Sequence, residues 1–168
     1  MISSLIHSKV KKIVKQADTR NPFKIADELG VHVMFRNDFV KLKGMYKVIS
    51  RNRFIFINAN LDEFEQRVIC AHELGHDALH RELATTMFEI TLYDVKNRVE
   101  YEANAFAAAL LIDDDEVVEL MGEGFDESGI ASSLEVSVDL LLIKLGEMNK
   151  RGYNFTLSRV GRGDFLRL

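Results

Sequence analysis

The chain is poor in cysteine, proline and tryptophan, and it lacks long apolar runs and an excess of positive charge. Cys70 is its single cysteine, which excludes an internal disulfide and a cysteine cluster around a structural zinc. We predict a buried structural thiol, the usual fate of a free cysteine. The longest apolar run, 105–112, is far too short to span a bilayer. The net charge of −4 gives no sign of a general nucleic-acid-binding surface.

The remaining composition is that of an ordinary globular protein, with 47% apolar and 29% charged residues. Residues 1–16 interleave lysines with apolar residues and show neither the apolar core nor the cleavage site of a signal peptide. We therefore expect a cytoplasmic protein with no membrane association. The length predicts one domain with a small helical annex. We expect residues 1–125 to form the main domain and 126–168 a helical annex and tail, packed together as one unit.

The first third of the chain predicts two helices and a small sheet. An amphipathic stripe over 3–17 indicates a helix, and a short second helix begins at Asn21-Pro22 and ends at Gly30. Three β-rich runs follow, separated by turn residues. The runs lie at 31–35, 42–48 and 53–58. We predict that they form a three-stranded antiparallel meander that leads directly into the next helix.

Most of the rest of the chain is predicted to be helical, apart from a loop that contains Thr91 and Tyr93 and a C-terminal segment from Tyr153 that forms a strand, a tail or both. The fold class is therefore α+β and mostly helical. Apolar spacing indicates one helix over roughly 60–81 and a second over about 97–112. The acidic run 113–116 fits the first turn of a following helix, where carboxylates complement the helix dipole. Two further helices, near 127–134 and 138–149, resemble a helix-turn-helix.

The most informative segment is His72-Glu73-Leu74-Gly75-His76, which matches the zinc-binding pattern H-E-x-x-H. Residues four apart on a helix project from the same side, so that His72 and His76 can bind one metal ion. Glu73 flanks that side and is placed to act as a general base on an attacking water. Cys70 points about 200° away from His72 on the helix and cannot share the site.

A tetrahedral catalytic zinc with two histidine ligands needs a third protein ligand. The second long helix offers Glu100 and Glu102, which point about 200° apart, so at most one of them faces the metal. Asn104 lies four residues after Glu100 on the same helical side and can accept a hydrogen bond from a ligand histidine. This spacing favours Glu100, and Glu102 remains the alternative.

Other residues are candidates for supporting roles. His80 lies one turn beyond His76, too far around the helix to share the zinc, and we predict that it packs beside the site and supports a ligand. Tyr46 and Tyr101 are candidates to stabilise the oxyanion or contact the substrate. The strand that contains Gly44-Met45-Tyr46 is expected to form a sheet edge on which an extended peptide substrate could pair.

The chain resembles the ImmA/IrrE family of metallopeptidases. The matching text is Ala71 to His76 with Leu79-His80, followed by Glu100 to Leu111, and the resemblance covers about residues 20–145. It implies a zincin-like metallopeptidase domain with a zinc site of the gluzincin kind, formed by His72, His76 and a glutamate. One departure is Ile112-Asp113, where the family often has a proline. The compact chain looks like the branch from phages and integrative elements, whose members cleave or disable helix-turn-helix repressors of the element.

Several alternatives remain open. The protein could bind such a repressor and inactivate it without cutting, with a metal that serves structure or sensing. A site of two histidines and a glutamate also accepts manganese, cobalt or iron. Direct DNA binding is not expected, because the helix from 138 begins with Asp139 and apolar residues rather than the Arg, Asn or Gln that read base edges. The sequence does not indicate an oligomeric state.

Overall fold

A computed structural model describes residues 2–81, 86–89 and 97–157 of the protein, with only the backbone for 86–89. The predicted tail beyond 157 lies outside the described residues. The elements, in chain order, are α1 (Ile2–Ala17), α2 (Pro22–Glu28), β1 (Val31–Arg36), β2 (Gly44–Ile49), β3 (Asn52–Asn58), α3 (Glu63–Leu79), β4 (Thr86–Glu89), α4 (Arg98–Leu111), α5 (Asp114–Gly122), α6 (Glu127–Ser133) and α7 (Val138–Lys150). Helices with one small sheet confirm the α+β prediction.

The sheet differs from the predicted antiparallel meander. It has four strands in the order β1-β3-β2-β4, and β1 pairs with β3 in parallel. Only the β2–β3 hairpin is as expected, with Ser50 and Arg51 at positive φ in its two-residue turn. The β1–β2 connection is long enough to pass the end of β3. The Asn58 side chain holds this connection through the carbonyls of Phe39 and Leu42, at 3.2 and 3.0 Å.

The prediction that β2 is a sheet edge was wrong. Gly44 to Lys47 pair with β3 on one side and with β4 on the other. The fourth strand arises from residues 86–89, in a stretch that shows no clear alternation of apolar and polar residues. β2 is therefore an inner strand, and its backbone hydrogen bonds are used within the sheet.

The helix that carries the H-E-x-x-H pattern begins after Asp62, whose side chain accepts a hydrogen bond from the Glu65 N–H. This N-cap satisfies one of the amide groups that a helix start leaves without a partner. The helix α3 packs on β2 and β3 and lies directly against α4. At the closest approach, a Cβ on Gly75 would lie 3.0 Å from the Ala103 Cα and carbonyl oxygen. A glycine at this point brings the two helices together.

The C-terminal helices pack onto the rest of the fold through α7, which lies against α4. Every residue of α7 from Leu140 to Met148 is buried. The exposed start of α7 consists of Val138 and Asp139. The acidic run also agrees with its prediction, since Asp113 caps α5 and the next three acids occupy its first turn.

The structure also bears on the single cysteine and on the predicted lack of a membrane-spanning segment. Cys70 is a free, completely buried thiol, as predicted, and burial raises its pKa. In the part of the chain that the structure describes, no helix combines the length and the apolar character needed to cross a membrane.

Candidate metal centre

The core of the candidate site is the pair His72 and His76 on α3. Their spacing of four residues places the rings edge to face, with centroids 4.7 Å apart and the two Nε2 atoms separated by 3.0 Å. Both side chains are almost completely buried. The geometry is that expected from one turn of helix, and it directs both Nε2 atoms to one point.

The helix α4 brings Glu100 to the same point. Its Oε2 lies 3.2 Å from the His72 Nε2 and 3.5 Å from the His76 Nε2. Ligand atoms of these three residues all lie within 4.8 Å of one another. Glu100 stands in the first turn of α4, which begins after the N-cap Asn97, so that the start of this helix positions the carboxylate.

The ring orientation of His72 follows from Asn104, one turn beyond Glu100. The His72 Nδ1 lies 3.0 Å from the Asn104 Oδ1. Because an amide oxygen only accepts hydrogen bonds, the ring donates its Nδ1–H and carries its lone pair on Nε2, toward Glu100. Asn104 thus selects the tautomer that a metal ligand requires.

His76 is oriented by a chain of three further side chains. Its Nδ1 lies 3.2 Å from the His80 Nδ1, and the His80 Nε2 lies 3.1 Å from the Glu102 Oε2. Arg98 donates to the other oxygen of Glu102 at 2.7 Å. The carboxylate accepts from the His80 Nε2–H, so a neutral His80 accepts at Nδ1 from the His76 Nδ1–H. This leaves the His76 lone pair on Nε2, as in His72.

The two glutamates on α4 therefore face different partners. Glu100 lies against both His72 and His76, while Glu102 lies against His80 and Arg98. The sequence had left both acids open as the third ligand. Glu100, which the spacing to Asn104 favours, is the acid that lies against both histidines.

The electrostatics of this cluster suit a cation. Burial lowers the pKa of His76, and the nearby His72 and His80 add to this effect against the opposing Glu100. Burial raises the pKa of Glu100, but when both rings carry a proton on Nε2 their hydrogen bonds to the carboxylate outweigh this effect and lower the pKa. In the tautomers that Asn104 and His80 select, these two protons are absent. Two neutral rings and a carboxylate, all presenting electron pairs at about 3 Å, repel one another unless a positive charge lies between them. The donor set fits a divalent metal.

Glu73 is completely buried on the side of α3 that faces the sheet. Its Oε1 lies close to β2, and a Cβ built on Gly44 would be 2.9 Å from it. The candidate base is thus enclosed between the metal-binding turn of α3 and the strand β2.

The two tyrosines proposed as helpers lie elsewhere. The Tyr46 hydroxyl donates to the Asp77 carboxylate at 2.8 Å, and the residue is 1% exposed. The Tyr101 hydroxyl donates to Glu147 and accepts from Lys150 at 2.7 Å. Both hydroxyl protons are used in these contacts, and the role of either tyrosine as an oxyanion or substrate contact stays a prediction.

Sequence reasoning missed the role of Asp77, which follows His76 directly. This buried carboxylate accepts hydrogen bonds from Tyr46, Arg53 and Arg81, each at 2.8 Å. Arg53 and Tyr46 belong to strands, so Asp77 fastens α3 to the sheet. The available signal was a charged residue at a position four beyond Glu73, on the helix side that faces the sheet.

Comparison with known proteins agrees with this geometry. The model of the peptidase M78 family, described as the IrrE N-terminal-like domain, matches residues 26–146. The chain belongs to the ImmA/IrrE family of metallopeptidases. The match includes both helices that form the cluster, and it makes the protein a metallopeptidase of a family that uses a divalent metal.

Two relatives share most of their length with the chain. It is 36% identical over 142 residues to "Uncharacterized immunity region protein 2" of Bacillus phage phi105, covering 84% of this chain and 89% of that protein. It is 29% identical over 163 residues to "Metallopeptidase ImmA" of Bacillus subtilis (strain 168), covering 93% and 95%. The expected resemblance to the ImmA-like branch is confirmed.

Proposed function

We propose that the protein is a zinc-dependent endopeptidase that cleaves a helix-turn-helix repressor of a mobile genetic element and so acts as an anti-repressor. The observation that carries the proposal is the convergence of His72, His76 and Glu100. Glu73 lies on α3, the helix that carries the two histidines. Zinc is the ion that two imidazoles and one carboxylate most commonly bind in catalytic sites. Manganese, cobalt and iron accept the same donors.

In this proposal His72, His76 and Glu100 hold the metal, and Asn104 and His80 fix the rings of the two histidines. When bound, zinc supplies a Lewis acid that polarises the scissile carbonyl and makes the attacking water more acidic. Glu73 accepts the proton of that water and delivers it to the leaving amine, the two steps that peptide hydrolysis requires of a general base and acid. Its burial keeps the carboxylate close to the metal-binding turn.

The substrate class rests on the relatives. One is named for a phage immunity region and the other as a metallopeptidase. From these two names we infer that the substrate is the repressor that maintains immunity, and we expect that repressor to be a helix-turn-helix protein. The protein would then act in the cytoplasm, where the repressor is bound to DNA, while contacting the repressor rather than the DNA.

The second candidate is a protein that binds the repressor without cutting it. Structural zinc sites are closed by four protein ligands, whereas catalytic sites have three. Among the described residues the ligand cluster consists of three side chains, and an acid that no structural site needs lies beside it. These two features favour the enzyme.

The test is co-expression with the helix-turn-helix repressor encoded nearest the gene, followed by intact mass measurement. Wild type is compared with Glu73→Gln, and with Glu63→Gln as a matched control on an exposed position of the same helix. We expect wild type and the control to cut the repressor at one bond, and Glu73→Gln to bind zinc without cutting. Intact repressor that co-purifies with all three forms would support the binding protein instead.

A further inference from the structure

Gly44 lies opposite the proposed general base. Alternate residues of a strand point to the same side of a sheet, and Tyr46, which bonds to Asp77, shows that Gly44 and Tyr46 face α3. On the helix, Ile69, Glu73 and Asp77 are spaced by four and face the strand. The pairs Gly44–Glu73 and Tyr46–Asp77 are therefore successive contacts of one helix with one strand.

The space beside Gly44 is filled by α3. A Cβ at this position would collide with the Ile69 Cγ2, and it would lie 2.9 Å from the Glu73 Oε1 and 3.6 Å from its Cδ. Carbon–oxygen contacts between non-bonded groups are about 3.3 Å or longer. Because Glu73 is completely buried, its carboxylate cannot move into solvent to avoid a methyl group.

The backbone gives no other reason for a glycine here. Gly44 is not among the glycines with positive φ, and it pairs regularly with Ile57. A glycine inside a strand weakens it, because it has no side chain to pack and loses more entropy on folding. Its presence in an inner strand is explained by the close approach of Ile69 and Glu73.

We propose that Gly44 is a positioning residue of the active site, whose missing side chain forms the space that the Glu73 carboxylate occupies. This inference rests on the proposed function, in which Glu73 is the general base. A methyl group at position 44 displaces the carboxylate, while the metal ligands, none of which is among the three atoms nearest to that methyl group, stay in place. The variant then binds zinc but cleaves slowly.

The first experiment measures repressor cleavage and zinc content for Gly44→Ala. We expect a loss in rate of about 10², within the range that general bases contribute, with zinc content unchanged. Gly122→Ala is the matched control, because a Cβ there meets nothing within 4 Å, and it should cleave at the wild-type rate. The pair Ile69→Ala and Ile69→Ala/Gly44→Ala removes the collision with the Ile69 methyl group, and the double variant should still be impaired relative to Ile69→Ala.

The second experiment is a double-mutant cycle with Glu73→Ala in the Ile69→Ala background, read by thermal unfolding and by residual cleavage. If Gly44 acts through Glu73, Gly44→Ala lowers the melting temperature less when Glu73 is alanine, and it reduces the residual cleavage no further. Equal effects in both backgrounds would overturn the proposal. A Glu73→Ala protein that cleaves normally would refute the proposed function instead, while the unfolding cycle would still report the Gly44–Glu73 contact.

Discussion

Two partly buried polar clusters of this protein differ in how their side chains are paired with one another. Beside the metal cluster stands a second one, in which the Asp114 carboxylate of α5 pairs with Lys144 and Arg151. Its oxygens lie 2.5 Å from the Lys144 Nζ and 2.6 Å from the Arg151 Nη1. Lys144 also donates to the Ile112 carbonyl at 2.7 Å. Donors and acceptors match within the chain.

The cluster of His72, His76 and Glu100 is arranged differently. Its atoms that face one another are electron-pair donors, because Asn104 and His80 accept from the Nδ1–H groups of His72 and His76 and leave the Nε2 lone pairs directed toward Glu100. Buried charges are stable only when they are paired or bound to a metal. The difference teaches that a cluster of opposite charges fastens helices together, whereas a cluster of electron-pair donors favours a bound cation and marks the candidate functional site.

The largest expected effect is that of removing the metal. Since zinc binds the folded chain through residues from α3 and α4, chelation should lower the free energy of unfolding by about 4 kcal/mol relative to protein at a zinc concentration of 1,000 Kd. Thermal unfolding with zinc and with a chelator measures this. The variant His72→Ala should show no such difference. Equal melting temperatures for wild type with zinc and with the chelator would contradict the assignment of the cluster as a metal site.

Breaking the ion pairs of Asp114 should have the next largest effect. Asp114→Asn leaves Lys144 buried without its anion and should lower the free energy of unfolding by about 3 kcal/mol near pH 7, with zinc binding unchanged. Asp115→Asn, at an exposed neighbouring position, is the control and should have little effect on stability.

The same variant has a defined pH dependence. Burial raises the pKa of Asp114, but the hydrogen bonds from Arg151 and Lys144 outweigh this effect and hold the pKa below the ordinary aspartate value of 3.8. A lowered pKa in the folded state stabilises the protein above the unfolded value, and this stabilisation disappears as the pH falls below it. The difference in melting temperature between wild type and Asp114→Asn should therefore shrink at pH values below 3.8 and stay constant above it. A difference that is the same throughout would exclude the ion pairs as its cause.

A smaller effect is expected from the side chains that orient the ligands. His80→Ala removes the hydrogen-bond partner of His76 and should weaken zinc binding by about 10- to 100-fold, as measured by competition with a chromogenic chelator. His32→Ala, an exposed histidine on β1, should bind zinc like wild type. An unchanged affinity in His80→Ala would show that the chain from His76 to Arg98 has no influence on the metal.

The smallest effect is predicted for Lys144→Met. The change removes one cation but leaves Asp114 paired with Arg151, and methionine fills the space of the lysine stem. We expect a loss of about 1 kcal/mol in urea unfolding. A loss as large as that of Asp114→Asn would mean that Arg151 contributes little to the stabilisation of the Asp114 carboxylate.

Much of the cluster was predictable because its spacing is set by one helix. His72, Glu73 and His76 follow from the H-E-x-x-H pattern, and the choice of Glu100 follows from helical geometry with Asn104. The sheet was less predictable, because alternation identifies strands but not their neighbours. The parallel β1–β3 pairing depends on the path of the connection between β1 and β2. The contacts of Glu102, Asp77 and Gly44 depend on how α3 meets α4 and the sheet, which local sequence does not encode.

The central claim is that His72, His76 and Glu100 form a metal site. The most direct measurement is the zinc content of purified wild type, Glu100→Ala and Glu102→Ala by elemental analysis. We predict one equivalent of zinc in wild type, none in Glu100→Ala, and one, more weakly held, in Glu102→Ala. Zinc retained in Glu100→Ala and lost from Glu102→Ala would contradict the assignment of the third ligand, and no zinc in wild type would contradict the zinc site itself.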